Sequence, residues 1–281
     1  MIPVEFGYER ASSIDDAIAK LGASSGGKLI AGGHSLVPLM KLRLSEPGRL
    51  VDISRIPGLS GIKESGGRIE IGATTTHAEI AASALLRDKC PMIAEAASEI
   101  GDPQVRNRGT IGGSIAHADP AADFPAVVLA LDADILLKGK GGARTVKASA
   151  FFKGFYDVDL AAGELIVGVS FAPIKSAAYA KLHQRASHYA IVGAAVALEA
   201  KGGVIQSARV GLTGATTHGV RLAGVEKALA GKKADGIEAA VASAAGEVAD
   251  VNADLHASAD YRKAMIPVFV RRAVEKALSR S

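Results

Sequence analysis

One cysteine and no tryptophan occur in this 281-residue chain. The lone thiol, Cys90, excludes an intrachain disulfide and any all-cysteine zinc or iron–sulfur centre carried by this chain alone, because such sites take four protein ligands. Aromatic residues are 4% of the total, too few for the stacking surface on which single-stranded nucleic acid lies. The formal net charge of +4 is spread along the chain, with only short basic groups such as Lys41/Arg43, Arg106/Arg108 and Arg271/Arg272. No dense basic block is present, so nucleic acid is not an expected partner. Apolar runs are short: residues 125–131 and 189–198 fall well below a bilayer span. Residues 1–10 carry Glu5 and Glu9 and lack the apolar segment of a signal peptide, so a cytoplasmic protein is expected.

Three sequence fingerprints are missing too. Neither G-x-G-x-x-G nor G-x-x-x-x-G-K-[ST] occurs, which removes the two common nucleotide loops. Without a G-x-S-x-G elbow, the seven histidines give no substance to a Ser/His/Asp hydrolase. His117, Asp119 and Asp123 lack a second histidine at ligand spacing, and Asp-Pro-Ala-Ala-Asp suits a turn and a helix N-cap, so no metal site is expected.

What the chain does have is two glycine-rich loops, Ala31-Gly32-Gly33-His34-Ser35 and Thr110-Ile111-Gly112-Gly113-Ser114. A glycine pair removes the Cβ atoms that would hold a phosphate away and permits positive φ, so successive N–H groups can face one anion. Either loop alone is also read as a tight turn between a strand and a helix. Together they gain weight from their polar neighbours: Ser35, Thr110 and Ser114 can donate hydroxyl hydrogen bonds to phosphate, and Asp123 can accept from a ribose or a ring N–H. A bound dinucleotide is the leading expectation.

Hydrophobic residues at 48% over this length allow a substantial core in one large or two smaller domains. Ser13 followed by Ile14, Ala17, Ile18 and Leu21 predicts a capped helix that stops at Gly22. Strands are predicted at 28–31, 49–53, 68–73, 133–138 and 164–171, and helices at 77–86, 92–100 and 122–131. Residues 101–109 read as a polar connection. Past Pro173 the pattern becomes two strands, 190–198 and 204–213, joined at Lys201-Gly202-Gly203, then three alanine-rich helices ending with 261–278. That switch places a boundary near residue 175.

Residues 31–44, 101–114 and 116–123, with Phe151-Phe-Lys-Gly-Phe-Tyr156 and Tyr189-Ala-Ile-Val-Gly193, resemble the FAD-binding medium subunit of molybdenum hydroxylases, the family of the aerobic carbon monoxide dehydrogenase medium chain and the xanthine dehydrogenase flavin domain. The likeness covers essentially the whole chain. It implies an α+β protein: a two-part FAD-binding domain of the vanillyl-alcohol-oxidase type over residues 1–175, with a small α/β part at about 1–55 and a larger part at about 60–175. A C-terminal α/β domain of three strands and three helices is implied for 176–281.

The resemblance also assigns residues. Leu29, Ile30, Ala31, Gly32, Gly33, His34, Ser35 and Leu36 would line the pyrophosphate and adenosine of FAD, with Thr110, Gly112, Gly113 and Ser114 clasping from the other side. Asp123 would hold ribityl or adenosine hydroxyls, Ile100 and Ile166 would be apolar walls, Lys181 would lie near the reducible end of the flavin, and Tyr189 would cover one ring face. His188 stands where many relatives have Asp, and Ser114 where some have Asn. No catalytic residue and no metal ligand is assigned.

The implied role is electron transfer within an oxidoreductase. Hydroxylation in this family occurs at a molybdenum–pterin centre on a large subunit, and electrons cross two [2Fe–2S] clusters on a small subunit. The flavin subunit passes them to an external acceptor, a quinone, NAD or another carrier. A dimer of heterotrimers is implied, peripheral at the inner membrane face if the complex brings it there. The alternatives are a free-standing FAD-dependent oxidase or dehydrogenase, which needs a base such as His188 by the ring, and a non-enzymatic nucleotide-binding module.

Overall fold

The structure is a computed structural model describing residues 1–281. It begins with β1 (Gly7–Arg10), α1 (Ile14–Gly22), β2 (Lys28–Ile30), α2 (Leu36–Lys41) and β3 (Arg49–Asp52). The three strands pair in parallel in the order β1-β3-β2. Helix α1 starts at Ser13, whose hydroxyl accepts from the Asp16 amide, and Asp15 and Asp16 place negative charge on its first turn. Pro38 fits the first turn of α2 because an amide there has no intrahelical partner to lose.

A hairpin of β4 (Ile62–Ser65) and β5 (Arg68–Gly72) follows, turned at Gly66 and Gly67, both left-handed at φ 57° and 74°. The helix predicted at 77–86 is in fact two, α3 (His77–Ala82) and α4 (Ala84–Lys89). Ser83 divides them: its backbone is extended, and its hydroxyl caps α4 by accepting from the Leu86 amide. Then come α5 (Pro91–Ser98), α6 (Pro103–Arg106), α7 (Ile111–His117) and α8 (Asp123–Ala130). The single turn of α6 lies in the stretch read as a polar connection, nucleated by the Asp102 carboxylate accepting from the Val105 amide.

Next in the chain are β6 (Asp134–Gly139), β7 (Gly142–Lys147), α9 (Ala148–Phe151), β8 (Phe152–Gly154), β9 (Asp157–Val158) and β10 (Leu165–Phe171). The hairpin at 66–67 and these strands form an antiparallel sheet in the order β4-β5-β10-β6-β7. A bulge at Val167 turns its carbonyl toward the Ala73 amide, tying the end of β5 to the middle of β10.

The remainder comprises β11 (Ala177–His183), β12 (Ala190–Lys201), β13 (Val204–Thr213), β14 (Val220–Arg221), α10 (Ala223–Leu229), α11 (Ile237–Val241) and α12 (Ala259–Leu278). Its antiparallel sheet runs β11-β12-β13-β14. This sheet has four strands against an expected three, because the two-residue β14 is too short to carry a periodic signal.

Two hydrophobic clusters of 41 and 23 buried residues result: the second lies in the second part of the chain, while the first also takes in Ala177, Tyr179, Ala195 and Ala197 from it. Helix α8 joins them. All eight of its residues are buried, and it packs so closely on β13 that a Cβ at Gly211 would lie 2.1 Å from the Ala126 carbonyl oxygen. Arg209 donates to the Ala130 carbonyl at the helix end. A second tie is ionic: Glu95 on α5 pairs with Lys276 on α12 at 3.1 Å and with Arg280 just beyond that helix.

Candidate functional site

β2 ends at Ile30, and the backbone amides from Ala31 through Leu36 then have no hydrogen-bond partner within the protein. Gly33 takes φ 75°, which redirects the chain into α2. Residues 31–36 are half-exposed, His34 more so, and the row can present successive N–H donors to one anion. His34 steadies it, its Nδ1 lying 3.1 Å from the Gly32 carbonyl oxygen.

The second loop abuts the first. A Cβ on Gly32 would stand 1.9 Å from the Arg108 carbonyl oxygen and 3.0 Å from Gly109 Cα. Only glycine permits that approach. The second loop differs from the expectation of bare amides, however, because its glycines lie in the first turn of α7 and its donors are spoken for. Ile111 N donates to Thr75 O, Gly112 N to Ala73 O, Gly113 N to the Thr110 hydroxyl oxygen and Ser114 N to Thr110 O. Gly112 is required for packing, since a Cβ there would meet Ala73 Cβ at 2.6 Å. Gly113 faces outward. The Thr110 and Ser114 hydroxyl protons and the bare surface of Gly113 are what this wall can offer.

Beneath the junction sits His77, 5% exposed, with Nδ1 unpartnered and Nε2 where a Cβ on Gly109 would come within 2.6 Å. Burial lowers its pKa to about 4, helped by the positive field of His34 and Arg106. Ile166 is buried at 4% exposure in β10 and Ile100 is half-buried after α5; Leu29 and Ile30 are half-buried in β2.

Asp123 and Lys181 form one buried unit. Asp123, the first residue of α8, is 4% exposed and its Oδ1 accepts from Lys181 Nζ at 2.9 Å and from the Tyr179 hydroxyl at 2.5 Å. Burial pushes the carboxyl up, against the pull of Lys181 and Tyr179. The Lys181 side chain is 1% exposed, and its ammonium also donates to the carbonyls of Glu99 and His188, each at 2.8 Å. All three ammonium donors are consumed inside the protein, by the Asp123 carboxylate and the Glu99 and His188 carbonyls. Lys181 lies on β11. Its burial is set by β11 packing against α5.

Tyr189 follows the left-handed His188 (φ 59°) and is 43% exposed. Partial burial, then Asp119 and Asp123, push its phenol up to about 12, while the facing Ser35 hydroxyl pulls the other way. Tyr189 thus belongs to the mouth of the glycine cradle. Sequence reading passed over its neighbours. Tyr156, also left-handed at φ 53°, donates to Asp119 Oδ2 at 3.1 Å and lies against the His117 ring at 5.0 Å between centroids. Tyr156, Asp119 and Tyr189 open onto a cleft of about 380 Å³, which Phe155, Gln184, Asn252 and the buried Arg262 also line. The only signal for Tyr156 was its place in an aromatic-rich segment. The Asp-Pro-Ala-Ala-Asp turn is gripped from the other side: the carbonyls of Pro120, Ala121 and Ala122 accept from Gly214 N, Ala190 N and the Thr213 hydroxyl. No group of three or more metal-ligating side chains converges anywhere.

Comparison with known proteins gives this geometry its context. Residues 4–173 match the model of the FAD binding domain in molybdopterin dehydrogenase, and residues 177–277 that of the CO dehydrogenase flavoprotein C-terminal domain. The chain is 41% identical to the carbon monoxide dehydrogenase medium chain of Hydrogenophaga pseudoflava, covering 100% of this chain and 99% of that one. The chain belongs to the FAD-binding medium subunits of molybdenum hydroxylases. Other members include the glyceraldehyde dehydrogenase medium chain of Sulfolobus acidocaldarius, 36% identical over 98% of this chain and 99% of that one. Among solved structures, carbon monoxide dehydrogenase from Hydrogenophaga pseudoflava lacking the Mo-pyranopterin moiety superposes with a TM-score of 0.95 over 100% of this chain and 99% of that one, at 41% identity. Quinoline 2-oxidoreductase from Pseudomonas putida 86 gives 0.93 over 99% of each chain, at 31% identity.

As a medium subunit, the protein is a flavoprotein component of a multi-subunit oxidoreductase, with FAD as its cofactor. The residues present fit that group. Unpartnered amides from Ala31 to Leu36 supply donors for a diphosphate, and the glycine contact at Gly32 keeps the two walls close. No helix is long and apolar enough to cross a membrane.

Proposed function

We propose that this chain is the exit point of a three-subunit molybdenum hydroxylase. A large subunit would carry the molybdenum–pterin centre and the substrate, a small subunit two [2Fe–2S] clusters, and two such trimers would associate in the cytoplasm. The single cysteine supports placing the clusters elsewhere. When bound, FAD supplies a carrier that takes electrons singly and releases them to a quinone, NAD or another acceptor. The protein's part is to bind, orient and shield it.

The division of labour we propose is as follows. Residues 1–175 form the flavin unit and 176–281 the closing unit. Ala31, Gly32, Gly33, His34, Ser35 and Leu36 offer backbone donors to the diphosphate, Leu29 and Ile30 lead into that row, and Thr110, Gly112, Gly113 and Ser114 form the opposite wall. Ile100 and Ile166 give apolar support, Asp123 and Lys181 hold the wall from behind, and Tyr189 screens the ring.

The free run of amides at 31–36 against the Arg108–Gly109 backbone carries this reading. The purified chain should show a bound-flavin visible spectrum, contain no iron and turn over no organic substrate without partners. A colourless preparation that FAD cannot reconstitute overturns the proposal. Replacing Gly112 with valine should abolish flavin retention.

A further inference from the structure

The ammonium of Lys181 is a buried cation with no free donor, and one of its bonds reaches the carbonyl of His188. His188 is the left-handed residue of the turn joining β11 to β12. Left-handed backbone is uncommon for a residue with a Cβ and persists where the surroundings over-determine it. Part of that determination is local: Gln184 N donates to Tyr189 O, His188 N to Gln184 O, and Ser187 to the Gln184 side chain. Those bonds close the turn upon itself. They do not tie it to the rest of the molecule.

Lys181 does. Its other two partners, the Asp123 carboxylate and the Glu99 carbonyl, belong to α8 and to the end of α5, the body that carries the second glycine wall. The Ala190 amide adds one neighbouring bond to Ala121 O. Tyr189 stands between these two anchor points, with its phenol toward Ser35 of the cradle.

We infer that Lys181 is a positioning residue: its ammonium, locked to Asp123, Glu99 O and His188 O, fixes the turn that presents Tyr189 over the glycine cradle. The inference rests on the FAD reading only for what Tyr189 screens. Lys181 acts through the His188 carbonyl and does not touch the cofactor.

Two readouts on the full-length chain test it. The first needs no flavin. In protein labelled with 3-fluorotyrosine, with the Tyr189 resonance assigned by Tyr189→Phe, the wild type should give one sharp Tyr189 signal. Lys181→Met should move that signal toward its position in the denatured chain. The second uses FAD as the probe. Emission per bound flavin, quenched by an adjacent tyrosine in the wild type, should rise in Lys181→Met to the level of Tyr189→Ala. Should Lys181→Met fail to fold, Asp123→Asn/Lys181→Met removes both buried charges and carries the same readouts. An unmoved Tyr189 resonance overturns the inference. So does loss of flavin with that resonance in place, which would mean that the ammonium serves the cofactor directly. A wild-type chain that takes up no flavin defeats the FAD reading alone, and the fluorine signal still decides the tether.

Discussion

Gly32 and Gly113 are both glycines of the cradle, yet their surroundings assign them opposite tasks. At Gly32 any side chain runs into backbone, the Arg108 carbonyl at 1.9 Å, and backbone cannot rotate away. Gly32→Ala should therefore force the loops apart, costing about 3 kcal/mol in chemical denaturation and emptying the flavin site. Gly113→Ala meets only the Thr110 hydroxyl at 2.9 Å. It should leave the denaturation midpoint nearly unchanged and weaken flavin retention, because the new methyl faces the ligand side. Equal loss of stability in the two variants would refute this division.

His77 makes a different residue-scale demand. Its pKa falls from an ordinary 6.5 to about 4 through burial. Between those values the unfolded chain binds a proton that the folded chain refuses, so stability is lost as pH drops from about 6.5 toward 4, by up to about 3 kcal/mol. His77→Leu should flatten the stability–pH curve over that interval, measured by urea unfolding in parallel buffers. The sequence assigned no role to this histidine or to Tyr156. The packing that buries the one and the turn that aims the other come from distant segments.

At the scale of elements, α1, β3, α5, α8, β12 and β13 were legible because cap residues and apolar spacing agree there with the final packing. The failures have physical causes. Residues 77–86 have helical spacing throughout, but Ser83 prefers its own hydroxyl-to-amide bond and breaks the helix. Strands β1 and β7, largely exposed, carry little hydrophobic alternation to read. The glycines of α7 read as a loop, whereas the Ile111 and Gly112 amides donate to the Thr75 and Ala73 carbonyls and fix this segment as the first turn of a helix. The cradle at 31–36 was readable for the opposite reason, since its amides are left over from both neighbouring elements. Helix α8 supplies the element-scale prediction. Gly211→Ala puts a methyl group 2.1 Å from the Ala126 carbonyl and should lift the helix off β13. About 3 kcal/mol should be lost, and because Asp123 opens the same helix, flavin retention should fall with it.

In the whole molecule, the two parts are joined by more than a linker. Helix α8 is counted with the first cluster, yet its carbonyls at Ala126 and Ala130 are covered by Gly211 and Arg209 of the second part. Glu95 of the first part takes Lys276 and Arg280 of the second, and Lys181 of the second is neutralised by Asp123 of the first. Separating the halves would leave Asp123 buried without its cation and expose the apolar underside of α8, and a buried charge stripped of its partner is strongly destabilising. Residues 1–175 expressed alone should therefore be insoluble or flavin-free, and co-expression of 176–281 should restore both solubility and the flavin spectrum. If the first fragment instead folds and holds FAD by itself, the closing unit serves only the ring end of the site, and the ties through Asp123 and Glu95 are dispensable for binding.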